Sequence, residues 1–302
     1  MVVSPTSIKF TPRRWLGYLL LLAAACCWGM IGPVSRYAFE AGIEPLEVAF
    51  WRAFLAWFLF GFHAWVAEAT AVQSRHALGV ALFAVLCVAV FYGAYQRAVD
   101  EGGAALASVL LYTAPAWVAL LARWMLGERI TRVKLAAIFV TLAGVVLVAF
   151  DGQTASAPSR TSALAIGFGL LSGFTYSLYF IFGKTLLRHY ATPTLFLYAL
   201  PLGSALLYPL VRFNEKNLVA WLSILFIAVV STYLAYLAYY AGLRYLEATR
   251  AAVVVTIEPV VAALFAWLWW DERFAGFGWL GSVAILGAVL LIILTHRAPQ
   301  GR

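Results

Sequence analysis

Residues 110–131 read LLYTAPAWVALLARWMLGERIT, and residues 254–274 read VVTIEPVVAALFAWLWWDERF. Each is an apolar run broken by a proline, Pro115 or Pro259. Each ends in a Glu-Arg pair, Glu128-Arg129 or Glu272-Arg273. The matching residues all lie 144 positions apart. A constant offset of nearly half the chain marks an internal duplication, weak in sequence and strong in pattern. The same offset relates Tyr92 to Tyr236, Tyr95 to Tyr239 and Gly29 to Gly173. It also relates the small pair Ala25 and Gly29 to Gly169 and Gly173, a spacing that lets helix backbones approach closely in lipid.

Composition sets the solvent. The 302 residues are 64% hydrophobic and 11% charged, too little charge to clothe a water-soluble domain. The net charge of +8 resides in short segments between apolar runs, which marks topology rather than a nucleic-acid surface. Cys26, Cys27 and Cys87 lie inside apolar runs, with no CxxC and no Cys/His cluster. Neither a disulfide framework nor a metal site is expected. The first apolar run is too long for the h-region of a cleaved signal peptide, despite Ala23-Ala24-Ala25-Cys26 within it.

A bilayer core takes about 20 apolar residues per helix. Ten such segments are expected, at 15–39, 45–67, 76–98, 102–124, 131–150, 161–187, 192–212, 217–243, 247–270 and 274–295, numbered helices 1 to 10. The fold class expected is all-α and integral to the membrane. Residues 1–14 form an N-terminal tail, 15–150 a first five-helix repeat, 151–160 a linker, 161–295 a second repeat and 296–302 a C-terminal tail. Fourteen Lys and Arg residues lie on the side of the termini, five on the other, and Arg36 and Arg52 fall within helices. The positive-inside rule then places both termini in the cytoplasm. Five helices per repeat is an odd number, so the second repeat enters the membrane inverted. Such inverted repeats suit a transporter that alternates between two faces.

Ionisable groups within the membrane are costly and face a cavity or a partner. Glu258, beside Pro259 at mid-helix, is a candidate for substrate binding or proton coupling. Arg52 is a structural or coupling charge, and Arg36, nearer a helix end, is expected to snorkel. Pro115 and Pro259 break their helices at corresponding places, which points to a transport site and its gates. Trp28, Tyr92, Tyr95, Tyr112, Tyr176, Tyr179, Tyr233 and Tyr236 are candidates for lining a substrate cavity. Tyr176 with Tyr179, and Tyr233 with Tyr236 and Tyr240, are spaced to share a helix face. Trp15, Trp124, Trp269, Trp270 and Trp279 fit interface belts. There is no Walker A loop, K⁺-channel filter, HExxH or GxSxG. No loop is long enough for a catalytic domain, so the chain is not expected to be an enzyme.

Phe50-Trp51-Arg52, Pro115 with Leu126-Gly127-Glu128-Arg129, and Glu258-Pro259 with Asp271-Glu272-Arg273 resemble the EamA-type families of the drug/metabolite transporter superfamily. Asp271 stands where that pattern usually has Gly, and helix 7 has no equivalent of Arg52. The nearly uncharged aromatic interior looks most like that of YddG-type amino-acid exporters. The resemblance implies export of amino acids, aromatic and other neutral ones included, across a bacterial inner membrane by alternating access. The helix 3/4 and 8/9 pairs would be the gates. A lipophilic drug, cation or other small metabolite is the alternative cargo. The expected partners are this solute and the lipid bilayer, with no cofactor, no nucleic acid and a single copy as the unit. The positions that differ between repeats, Tyr112 against Thr256 and Ala114 against Glu258, are expected to carry substrate choice.

Overall fold

The ten apolar runs become ten helices: Arg14–Glu40 (helix 1), Pro45–Val66 (2), Ser74–Ala104 (3), Leu106–Met125 (4), Arg132–Ala149 (5), Ala163–Leu186 (6), Thr192–Leu210 (7), Leu218–Leu243 (8), Ala248–Trp270 (9) and Gly276–Leu294 (10). The computed structural model describes residues 12–149, 162–271 and 276–295. The linker 151–160, the Glu272-Arg273 pair, most of the N-terminal tail and the C-terminal tail lie outside the described residues. Among the described residues the regular structure is helical throughout, and five spans per half make the two halves inverted.

The halves interlock. Helix 1 packs on helices 8 and 9, and helix 6, its repeat equivalent, packs on helices 3 and 4. Helix 2 packs on helix 7, and helix 5 on helix 10. A two-fold relation between the repeats maps this set of pairs onto itself. Helices 5 and 10 touch where a Cβ added at Gly144 would lie 2.8 Å from the Gly281 carbonyl, and one at Gly281 would lie 2.5 Å from that of Gly144.

Helices 4 and 9 are broken at equivalent places. Helix 4 stops at Leu111, turns through Tyr112 and Thr113, and restarts at Ala114. Helix 9 stops at Val255, turns through Thr256 and Ile257, and restarts at Glu258. Pro115 and Pro259 sit in the first turn of the second piece. A missing N–H is harmless there, because that turn has no intrahelical acceptor. The prolines therefore begin half-helices rather than kink continuous ones. Gly29 of helix 1 rests against Val261 just beyond one break, and Gly173 of helix 6 rests against Leu110 and Thr113 at the other. These repeat-equivalent glycines do the packing that their spacing implies. A Cβ at Gly173 would lie 2.5 Å from the Leu110 carbonyl oxygen and 2.6 Å from Thr113 Oγ1. Backbone cannot yield cheaply, so Gly173→Ala should destabilise the protein by about 1–3 kcal/mol. Thermal unfolding in detergent checks this, with Gly93→Ala, which meets nothing within 4 Å, as the silent control.

A second symmetric irregularity was not legible in the sequence. Helix 3 widens to a π-helix over Ala84–Val90, and helix 8 does so over Val229–Leu234. Shifting the first by 144 residues overlays the second. A π turn rotates everything beyond it around the helix axis. Asp271 at the end of helix 9 has φ 50° and its repeat mate Gly127 has φ 70°. Both occupy left-handed backbone, which Gly adopts freely and Asp tolerates. This explains why Asp still fits where the first repeat has Gly.

Candidate functional site

The half-helix breaks, the π turns and the glycine contacts converge on a cavity of about 830 Å³. That size lies within the range typical of small-molecule sites, about 300–1,000 Å³. Trp28 of helix 1, Arg52 of helix 2, Tyr92 and Tyr95 of helix 3, Tyr112 of helix 4, Tyr176 of helix 6, Tyr236 of helix 8, and Glu258 and Pro259 of helix 9 all line it. The lining extends to Phe39, Pro45 and Gln96, at the end where helix 1 joins helix 2. The cavity is therefore open at that end.

Arg52 is 8% exposed, inside the cavity wall rather than at an outer anchor. Its Nε–H donates to Thr232 Oγ1 at 3.2 Å, and its guanidinium lies 5.3 Å from the Tyr92 ring centroid. Thr232 sits in the π turn and donates in turn to the Ile227 carbonyl at 2.9 Å. The irregular turn thus aims Thr232 at Arg52. The four other guanidinium N–H donors have no hydrogen-bond partner among the described residues, and no acid lies within ion-pair distance. Glu258 occupies the first turn of its half-helix, where the helix dipole favours a carboxylate. The Tyr112 hydroxyl is its polar neighbour. An arginine and a carboxyl group therefore face one cavity without an ion pair between them.

Aromatic rings fill the space between. Tyr176 stacks on Phe91 at 5.5 Å, Trp28 meets Tyr236 edge-on at 5.5 Å, and Tyr95 shares a hydrogen bond with Ser108 at 3.4 Å. At the mouth, the Arg36 guanidinium lies 4.2 Å from the Trp270 ring centroid and pairs with Glu40 at 3.4 Å. Trp270 also donates to the Pro33 carbonyl at 3.1 Å. Trp270 is thus a rim residue of the cavity, whereas Trp15, Trp124, Trp269 and Trp279 are exposed at the periphery as belt residues are.

Two expected lining residues sit elsewhere. Tyr233 hydrogen-bonds His63 Nδ1 at 2.8 Å on the far side of helix 8, because the π turn breaks the face it was expected to share with Tyr236. Tyr179 stacks behind Tyr236 at 5.6 Å and is 2% exposed, a layer deeper than the cavity wall. Pro115 is buried in the closed half. Phe91 and Ser108 line the cavity without having been singled out beforehand. Their one signal was proximity to Tyr92 and Tyr112.

Beyond Tyr236 the path is shut. Trp28, Tyr239 and Phe180 pack ring to ring, with Tyr239 5.1 Å from Trp28 and 5.4 Å from Phe180, and Tyr179 stacks on Tyr236. At the far end Glu128 of the first repeat caps the start of helix 9 in the second. Its carboxylate accepts from the Ala248 N–H at 2.6 Å, the Thr249 N–H at 3.2 Å and the Thr249 hydroxyl at 2.8 Å. Lys134, 2% exposed, lies 3.8 Å from Glu128 and 3.1 Å from Glu247.

Comparison with protein families finds the EamA-like transporter family, matched over residues 15–150 and 163–294. The chain belongs to the EamA-like transporter family. An uncharacterized transporter of Archaeoglobus fulgidus is 30% identical over 266 residues, covering 87% of this chain and 92% of that protein. The uncharacterized inner membrane transporter YicL of Salmonella typhimurium is 25% identical, covering 93% and 96%. A probable terminal-alkyne amino-acid exporter of Streptantibioticus cattleyicolor is 26% identical, covering 72% and 73%. A solved crystal structure superposes with a TM-score of 0.78 at 17% identity, over 92% of this chain and 96% of that one, and so shares the fold. This EamA-like protein is accordingly a multi-pass membrane transporter and not an enzyme.

Proposed function

We propose that this transporter exports amino acids across the bacterial inner membrane by alternating access. The observation that carries the reading is the pair of separate charges in one aromatic cavity. An α-amino acid presents a carboxylate and an ammonium group at fixed separation. Arg52, with free N–H donors in a planar fork, suits the carboxylate, and Glu258 suits the ammonium. The rings between them suit an apolar or aromatic side chain. The relation to a probable amino-acid exporter supports the same cargo. Both termini lie in the cytoplasm by the distribution of Lys and Arg. Residues 15–150 and 161–295 act as the two inverted units, joined by 151–160. The substrate occupies the cavity between them, and the half-helices that begin at Pro115 and Pro259 move as gates.

Counterflow in proteoliposomes tests the cargo. Labelled phenylalanine and leucine should exchange, whereas phenethylamine and phenylpropionate, each lacking one charged pole, should compete at least tenfold less well, since one lost charge-assisted contact costs about 1.5–3 kcal/mol. Efficient exchange of the amine with no amino-acid flux would instead identify an exporter of lipophilic cations, with Glu258 as the counter-charge.

A further inference from the structure

The 144-residue relation makes a specific claim about the closed half. Each residue of the open vestibule has a repeat mate, and those mates can be located. Pro33 corresponds to Ser177, Ser35 to Tyr179 and Tyr95 to Tyr239. The first members line the cavity. The second members are buried in the closed half, at 0%, 2% and 1% exposure. The plug that shuts one end is thus the symmetry equivalent of the wall that opens the other.

A second observation is independent of symmetry. The hydroxyl of Tyr239 is buried without a hydrogen-bond partner. Phenylalanine would fill the same space without that desolvation cost, and a buried phenol normally finds a partner. An orphaned hydroxyl in a dry plug makes sense where the same group becomes wet in another state. We infer that Tyr179, Tyr239 and Ser177 line a second vestibule, open at the Glu128 end in the opposite state, and that Tyr239 there takes the place Tyr95 holds in the open cavity.

This vestibule has its own chemistry. The mates of Arg36 and Arg52 are Phe180 and Phe196, and the mate of Glu258 is Ala114. None of these three charges has a charged mate on that side. Tyr179 and Tyr239 therefore meet the uncharged, aromatic or polar part of the solute, while its charged poles stay with Arg52 and Glu258. The inference rests on alternating access, as proposed above, but not on the identity of the cargo.

The test uses the full chain with Cys26, Cys27 and Cys87 replaced by alanine, in vesicles of both orientations, probed with a membrane-impermeant maleimide. Tyr95→Cys should react from one side only. Tyr239→Cys and Ser177→Cys should react from the other, both faster than Ala56→Cys, which is fully buried and matches no cavity residue. Ser177→Cys is nearly isosteric, so the result does not hang on tolerance of the larger change at Tyr239. Adding Tyr239→Phe removes an orphan hydroxyl from the plug and should slow labelling of Ser177→Cys roughly fivefold. If Ser177→Cys and Tyr239→Cys react no faster than Ala56→Cys from either side, or react from the Tyr95 side, the inference falls. Labelling needs no substrate, so its success with a failed flux panel would overturn only the amino-acid reading.

Discussion

Arg52→Gln is expected to raise the KM for a neutral amino acid by roughly 100-fold in counterflow while leaving the protein folded. The guanidinium offers a fork to the carboxylate, and two charge-assisted hydrogen bonds vanish together when it is replaced. Arg52→Lys should recover only part of the loss. An ammonium is a point charge that cannot make the fork, and it gives up the planar approach from Thr232 and the stack on Tyr92. The side chain is buried, so its removal also lifts a desolvation cost. Thermal stability of Arg52→Gln should therefore be unchanged or raised, which separates a lost substrate contact from a damaged fold. Glu258→Gln should show the reciprocal selectivity. It should lose affinity for the zwitterion about 10–100-fold and gain relative tolerance for carboxylates that lack an ammonium. Thr232→Val, which leaves the charge but removes its positioning partner, should fall between wild type and Arg52→Gln. An Arg52→Gln protein with unchanged KM and unchanged discrimination against phenethylamine would sink the two-pole site.

How far the sequence foretold this arrangement depends on the scale of each feature. The spans were legible because an unbroken apolar run of membrane length has few other uses. The equivalent breaks were legible because Pro115 and Pro259 mark them at one offset. The π turns were not, since AVLCVAV and VVSTYL carry no residue that distinguishes a wide turn from an α-helix. That silence moved Tyr233 off the cavity and hid how Thr232 reaches Arg52. Depth was also illegible. Tyr179 and Tyr236 are both mid-membrane tyrosines, and only packing shows that one stands behind the other. Long-range partners were hidden for the same reason. Glu128 was visible as a motif residue, but its acceptance from Ala248 spans 120 residues. The repeat itself held one unused signal. Tyr239 pairs with Tyr95 by the same offset as the prolines, and it could have been placed on the opposite vestibule from that alone.

Glu128→Ala is expected to open the closed end. The carboxylate holds three donors at the start of helix 9, at 2.6, 3.2 and 2.8 Å, and it does so across the two repeats. A charged cap on a helix N-terminus joins a hydrogen-bonding gain to a dipole gain. Its loss also leaves Lys134, 2% exposed, with fewer compensating contacts: Glu247 at 3.1 Å and the Arg129 carbonyl at 2.8 Å. Together these should cost the closed arrangement about 2–3 kcal/mol, shifting the equilibrium by roughly 30–150-fold toward the state open at this end. Maleimide labelling of Ser177→Cys from the Glu128 side should rise accordingly. Arg129→Ala, an exposed neighbour, should leave it unchanged, and equal labelling in Glu128→Ala and wild type would rule the latch out. Acid should not release the Glu247 contact near neutral pH. Burial works to raise the Glu247 carboxyl, but Lys134 and Arg250 outweigh it and hold the group below its ordinary value of 4.5. A depressed carboxyl contributes its stabilisation above the unfolded value and loses it as pH falls through the lower folded one. The Glu247 arm of the latch therefore stays engaged at pH 6 and weakens only below about 4.5.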